Sequence, residues 1–206
     1  MQVILSFQAC ASRKTGSRST NGGASIRTVH RLFFALKPPP AILDACFEAM
    51  DDGPRGWAWQ DERQLHLTLR FIGEVDRHQA DDIVDALSGF RARPVDIGID
   101  GVGWFDHGPR GALFARVTPK PPLEALHAKL DRMLVRLGHQ PERRAFVPHI
   151  TLARRRSGAG SPDQWLACRT GFRTAACRVH AITLFQSRHG RHGASYERLL
   201  DVPLNA

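Results

Sequence analysis

The chain has 206 residues, 42% of them hydrophobic, so it can bury a core, and its length suits one domain or two tightly fused lobes. No apolar run reaches the roughly 18 residues of a membrane-spanning helix, and a soluble protein with no membrane partner is expected. Lys and Arg number 29 against 20 Asp and Glu, a formal charge of +9, which favours a polyanionic partner, although an Arg surplus also suits a basic protein that binds no nucleic acid.

Residues 1–29 stand apart. Ser, Arg, Gly, Thr and Asn dominate from Ser12 onward and the first acidic residue is Asp44, a composition that predicts a disordered basic extension ahead of a domain over residues 30–206. A signal peptide fits poorly, because the apolar run at residues 3–7 is short and unpreceded by Lys or Arg. A transit peptide and an extended start both remain open. Cys10, Cys46, Cys168 and Cys177 show neither a CxxC pair nor zinc-ligand spacing, so free thiols in a reducing cytoplasm are expected, with no metal or cofactor.

Residues 31–36 (RLFFAL) form a short apolar strand stopped by Pro38, Pro39 and Pro40, after which Ile42, Leu43, Cys46, Phe47 and Met50 recur at helical spacing. Residues 65–72 (LHLTLRFI) alternate as a strand that Gly73 ends, and Ile83, Val84, Leu87 and Phe90 mark a helix over residues 79–90. Strands follow at 95–105 and 112–118, joined by a turn at Gly108, Pro109 and Gly111. Gly101-Val102-Gly103 lacks the spacing of a dinucleotide loop and reads as a strand-end turn. Leu123, Leu126, Leu130, Met133, Leu134 and Leu137 predict the next helix, and residues 149–154 (HITLAR) a strand. A short helix near 162–168 and strands at 178–186 and 196–202 complete the chain.

The plan repeats. HITLAR at His149 restates HLTLRF at His66, a separation of 149 − 66 = 83, and Phe114 restates Phe34 at 114 − 34 = 80, each strand being followed by prolines and a helix. An internal duplication accounts for this most simply. The predicted fold is α+β: two similar lobes related by duplication, each an antiparallel sheet with helices on its outer face, and an active cleft between the sheets.

In a strand, residues two apart share a face, so His66, Thr68 and Arg70 point away from Leu65, Leu67, Leu69 and Phe71, and His149 and Thr151 away from Ile150 and Leu152. Two imidazoles and two hydroxyls meeting across a cleft suit cyclic phosphodiester hydrolysis. In-line displacement needs a base for water and an acid for the departing ribose oxygen, and histidine can be either near neutral pH. A single His on a strand is ordinarily structural. Packing gives no reason for His-x-Thr-Leu to occur twice.

The paired motifs, with RLFFALKPP at Arg31, HLTLRFIGEV at His66, RAFVPHITLAR at Arg144, LFQS at Leu184 and Tyr196-Glu197, resemble the LigT/ThpR family of the 2H phosphoesterase superfamily, formerly called 2'-5' RNA ligases. The resemblance runs from about Arg31 to Leu204. It implies metal-independent hydrolysis of an RNA terminal 2',3'-cyclic phosphate, or of small cyclic nucleotides, to a 2'-phosphomonoester. It makes His66 the proton donor and His149 the proton acceptor. Thr68 and Thr151 would hold phosphate oxygens, Arg154 would match the family's arginine after the second motif, and Arg70 would be its counterpart. Arg154 lies on the alternate face from His149, so it reaches the site only through a bend or a long side chain.

Phe146 could stack on the terminal base or be a core aromatic, Arg143 and Arg144 could meet backbone phosphates, and Tyr196 could add a contact. His189 and His192 read as a solvated turn, while His30, His78, His107, His127, His139 and His180 show no partner pattern. Two other readings stay open: a 2'-5' RNA ligase acting on tRNA halves, and a non-catalytic RNA-end binder. A monomer is expected.

Overall fold

The computed structural model describes residues 29–106, 108, 111–190 and 193–205. Apart from Val29, the predicted extension lies outside the described residues, as do Cys10, His107, Pro109 and His192. Strand β1 (His30–Leu36) leads into helix α1 (Pro40–Met50), which starts behind Pro39 with proline in its first turn, where a missing N–H costs no helical bond. A three-residue strand β2 (Trp57–Trp59), too short to show a period, precedes β3 (Leu67–Val75). Helix α2 (Arg77–Ser88) opens on a capping box, with Asp76 accepting from the Gln79 N–H and the Gln79 side chain accepting from the Asp76 N–H.

Next come β4 (Val95–Phe105), β5 (Ala112–Thr118), α3 (Lys120–Arg136), β6 (His149–Arg155) and α4 (Asp163–Cys168). The strand expected at residues 178–186 is two, β7 (Cys177–Val179) and β8 (Ala181–Gly190), and β9 (Gly193–Pro203) closes the fold. β7 pairs with β4 and β8 with β1, so the chain changes partner between them at His180.

The strands run antiparallel in the order β7-β4-β5-β6-β3-β1-β8-β9, with β2 paired to β6. In place of two separate sheets there is one, and its halves join at β3 and β6 through the single pair Leu67–Ile150. The order reads alike from either end about that junction, with β1 and β5 flanking β3 and β6, as a duplication would produce. Its register differs by one from that expected: Thr68 faces Ala35 and Thr151 faces Phe114, so Phe114 stands in the place of Ala35 and not of Phe34.

All four helices contribute to one apolar cluster on one face of the sheet, with Leu32, Phe34, Leu36, Leu67 and Ile150 beneath them. The alternate residues Phe33 and Ala35, with Phe185, form a second, smaller cluster. Three of the four cysteines are described and all three are free thiols: Cys46 is buried, and burial pushes its pKa up to about 12. Among the described residues no helix is long and apolar enough to cross a membrane.

Two glycines depart from the sequence reading. Gly73 does not end β3: it sits inside it at φ 94°, beside a register shift. Gly101, at φ 90°, lies inside β4 at another shift and is no strand-end turn. Positive φ is open to glycine at little steric cost, and a bulge uses that freedom without ending the strand.

Candidate active site

The Leu67–Ile150 pair sets the geometry of the site. Both side chains are fully buried against the helices, so their neighbours His66, Thr68, His149 and Thr151 face the other way. Antiparallel pairing at 67 and 150 puts 66 across from 151 and 68 across from 149. Each histidine therefore stands on the side of the threonine of the other motif. His66 itself lies one residue ahead of β3. Neither threonine hydroxyl has a protein hydrogen-bond partner among the described residues.

The two imidazoles are held alike. His66 Nδ1 donates to Gln64 O at 2.7 Å and His149 Nδ1 donates to Val147 O at 2.7 Å. A carbonyl can only accept, so each ring carries its hydrogen on Nδ1 and leaves Nε2 to exchange a proton. Aromatic rings surround both. Phe33, Phe185 and Tyr196 lie 5.0, 6.0 and 4.8 Å from His66, and Phe105 and Phe114 lie 5.0 and 5.5 Å from His149. Burial in this apolar setting lowers the pKa of His66 to about 4, with smaller contributions from Arg154 and His149, although the Gln64 carbonyl opposes the shift. Burial, then Arg154, lowers His149 against its own carbonyl bond.

Matching bulges follow the two motifs. Ala35 faces Thr68 but Phe34 faces Arg70, which leaves Leu69 as the extra residue; Phe114 faces Thr151 but Leu113 faces Ala153, which leaves Leu152. A bulge reverses the alternation beyond it. In β6 it returns Arg154 to the face of His149, supplying the bend that strict alternation lacked. In β3 it turns Arg70 to the helix side and brings Phe71 to the site, 5.6 Å from Phe33.

Arg70 is therefore not the counterpart of Arg154; Phe71 is. Though Arg70 borders the cavity, it is only 7% exposed and its guanidinium is taken up by Asp131 Oδ1 at 2.7 Å, Gln140 O at 2.6 Å and Phe71 O. Burial raises the Asp131 carboxyl, yet the bonds from Arg70 and from the Glu142 N–H hold it below its ordinary value.

A cavity of about 410 Å³ spans this face, lined by both histidines, both threonines, Phe71 and Arg154, with Tyr196 and Phe146 among its walls. His127, which shows no pattern in the sequence, also lines it: its Nδ1 donates to the bulge carbonyl Leu69 O at 2.6 Å and its ring stacks on Phe146 at 4.6 Å and 9°. The one sequence signal was its i,i+4 spacing to Asp131, which also faces β3. Arg144 lines the cavity with its guanidinium forked onto Glu142 at 3.1 and 3.2 Å. That bond holds the Glu142 carboxyl at about 2. Arg143 is exposed and does not line the cavity. Among the described residues no group of three His, Cys, Asp or Glu side chains converges as a metal-ligand set.

Two His-x-Thr triplets crossing on one face of an antiparallel sheet, with hydroxyl donors and an arginine around them, define a two-histidine phosphoesterase class of site. Comparison with known proteins agrees. The sequence model of the 2'-5' RNA ligase superfamily matches residues 38–191, and the chain belongs to that family. The RNA 2',3'-cyclic phosphodiesterase of Aeropyrum pernix is 30% identical over 146 residues, 69% of this chain and 83% of that one. The Thermus thermophilus protein of the same name is 34% identical over 143 residues, 63% of this chain and 70% of that one. In fold, E. coli LigT complexed with 3'-AMP superposes at TM-score 0.69 with 24% identity, covering 87% of this chain and all of the other.

Proposed function

We propose that this protein hydrolyses the terminal 2',3'-cyclic phosphate of RNA to a 2'-phosphomonoester by two-histidine acid–base catalysis, with no metal cofactor. The observation that carries this reading is the antiparallel crossing of the triplets at Leu67–Ile150, which sets two Nδ1-protonated imidazoles and two unpartnered hydroxyls around one point. His149 Nε2 takes a proton from water as the water oxygen bonds to phosphorus. The P–O3' bond breaks on the opposite side, and His66 Nε2 gives its proton to O3', leaving a 3'-hydroxyl and the 2'-phosphate. Burial by three aromatic rings makes the His66 imidazolium the stronger acid, so its donor role depends on the bound phosphate anion keeping that ring protonated, and the orientation of the cyclic phosphate sets the division.

Thr68 and Thr151 donate to the non-bridging oxygens and Arg154 offsets the charge gathering there. Phe146, backed by His127, offers a face for the terminal base, with Tyr196 on the His66 side. Arg144 and Arg143 lie towards the backbone, Arg144 with its charge shared with Glu142. The cytoplasm, a monomeric state and an RNA substrate with a cyclic end belong to the same reading.

Phosphorus NMR of product from a 2',3'-cyclic nucleotide and from a cyclic-phosphate-ended oligonucleotide tests it, with EDTA present. A 2'-phosphomonoester is expected from both, and His66→Ala or His149→Ala should lower kcat by about 10²–10⁴-fold with the melting temperature unchanged. Loss of activity to the chelator would rule out the metal-free step. Joined product from tRNA halves would favour ligation, which must outcompete bulk water through a well-positioned 5'-hydroxyl. Tight binding without turnover would favour an end-binding protein.

A further inference from the structure

A second cavity, of about 280 Å³, lies where the end of α2 meets α3, lined by Ala86, Gly89, Phe90 and Met133 and rimmed by Arg91, Lys129, Arg132 and Arg136. No carboxylate lines it. Elsewhere exposed arginines such as Arg63, Arg93 and Arg156 stand singly among the described residues and line neither this cavity nor the catalytic one. Several others sit on acids, as in Arg173–Asp100 at 2.7 Å, Arg178–Asp96 at 2.9 Å and Arg188–Glu197 at 2.7 Å. Among the described residues none of the four rim cations forms such a pair. Two are positioned without being neutralised: Lys129 Nζ donates to Arg91 O and lies 5.4 Å over the Phe90 ring, and Arg91 Nη1 donates to Ser88 O and Phe90 O at 2.9 Å. Backbone carbonyls hold the side chains in place and leave their charge available to an anion.

Helix α3 separates this pocket from the catalytic cavity. His127 and Asp131 face β3 on one flank, and Lys129, Arg132 and Arg136 follow the other at i, i+3 and i+7. A helix with its side chains is about 10–12 Å across, a distance a few nucleotides of single strand can span. We propose that the pocket binds RNA backbone phosphates upstream of the 3' end held in the catalytic cavity, so that the enzyme prefers oligonucleotides to mononucleotides. This rests on the cyclic phosphodiesterase reading for its direction along the strand. It does not rest on that reading for the pocket's affinity for RNA.

The test compares wild type with the double variant Arg132→Gln, Arg136→Gln and, separately, with Lys129→Gln. Turnover is measured on 2',3'-cyclic AMP and on a roughly ten-nucleotide RNA ending in a 2',3'-cyclic phosphate, and binding by fluorescence anisotropy of the same RNA bearing a non-hydrolysable 3' end. For the double variant, KM for the oligonucleotide should rise about ten-fold at low salt, and the slope of log Kd against log salt should flatten by about 0.7 per lost phosphate contact. The cyclic AMP constants should stay within about two-fold, since these side chains touch nothing in the catalytic cavity. Unchanged oligonucleotide KM and salt slope would overturn the proposal, as would equal losses on both substrates. So would intact RNA binding with lost binding to phosphatidylserine vesicles. If wild type turned over neither substrate, the cyclic phosphodiesterase reading would fall while the salt slope still decided the pocket.

Discussion

Arg154 and Phe71 stand three residues beyond Thr151 and Thr68, and the difference between them is where the two motifs part company chemically. One brings a guanidinium to the cavity wall on the His149 strand; the other brings an aromatic face, 46% exposed. Arg154→Ala should reduce kcat/KM by roughly 10²-fold, the scale of a lost oxyanion contact, with no change in stability. Arg70→Ala should do the reverse at first order. Its partner Asp131 is only 19% exposed, and stranding that carboxylate should cost about 3 kcal/mol, seen as a lower urea midpoint. Equal activity losses in the two variants would contradict the assignment.

The histidines fix the pH dependence. Both have pKa values below the ordinary imidazole value, His66 at about 4, so in the free enzyme the form with one neutral and one protonated ring is most populated on the acid side of neutrality. kcat/KM should therefore fall as pH rises through neutrality. A bound phosphate anion favours the imidazolium and raises both values, so the kcat optimum should lie at higher pH than that of kcat/KM. Coincident optima in a steady-state pH series would show that the bound anion does not retune the rings.

At the scale of elements, two bulged strands aim the site and a glycine in β4 supports it. A Cβ on Gly103 would come within 2.7 Å of the Phe114 ring. That ring is stacked on Phe105 at 4.2 Å and lies against His149, so it has little room to yield. Gly103→Ala should lower kcat at least ten-fold at a stability cost of about 1–3 kcal/mol. Gly160→Ala is the control, since its nearest neighbour would be 3.8 Å away and it lines neither cavity. Helix α3 serves β3 in a different way, since His127 donates to the bulge carbonyl Leu69 O and Asp131 ties down Arg70. Neither bulge was legible as alternation, because Leu69 and Leu152 are apolar on either register and only the partner strand reveals the extra residue.

Across the whole molecule, one core joins both halves. Ile150 is fully buried at the junction within a cluster drawing on every helix, so Ile150→Ala should cost about 2–5 kcal/mol. Near- and far-ultraviolet dichroism should still melt together, and separate transitions would mean that the halves fold independently. Most elements, the α+β class, and the pairing of His66 with Thr68 and of His149 with Thr151 were determined by sequence alone, because periodicity and a repeated motif are local properties of the chain. Which arginine turns its guanidinium to the cavity, the place of His127, and the joining of two halves into one sheet were decided only by tertiary structure. They depend on strand register and on a helix packed across it, and those are contacts between residues far apart in the chain.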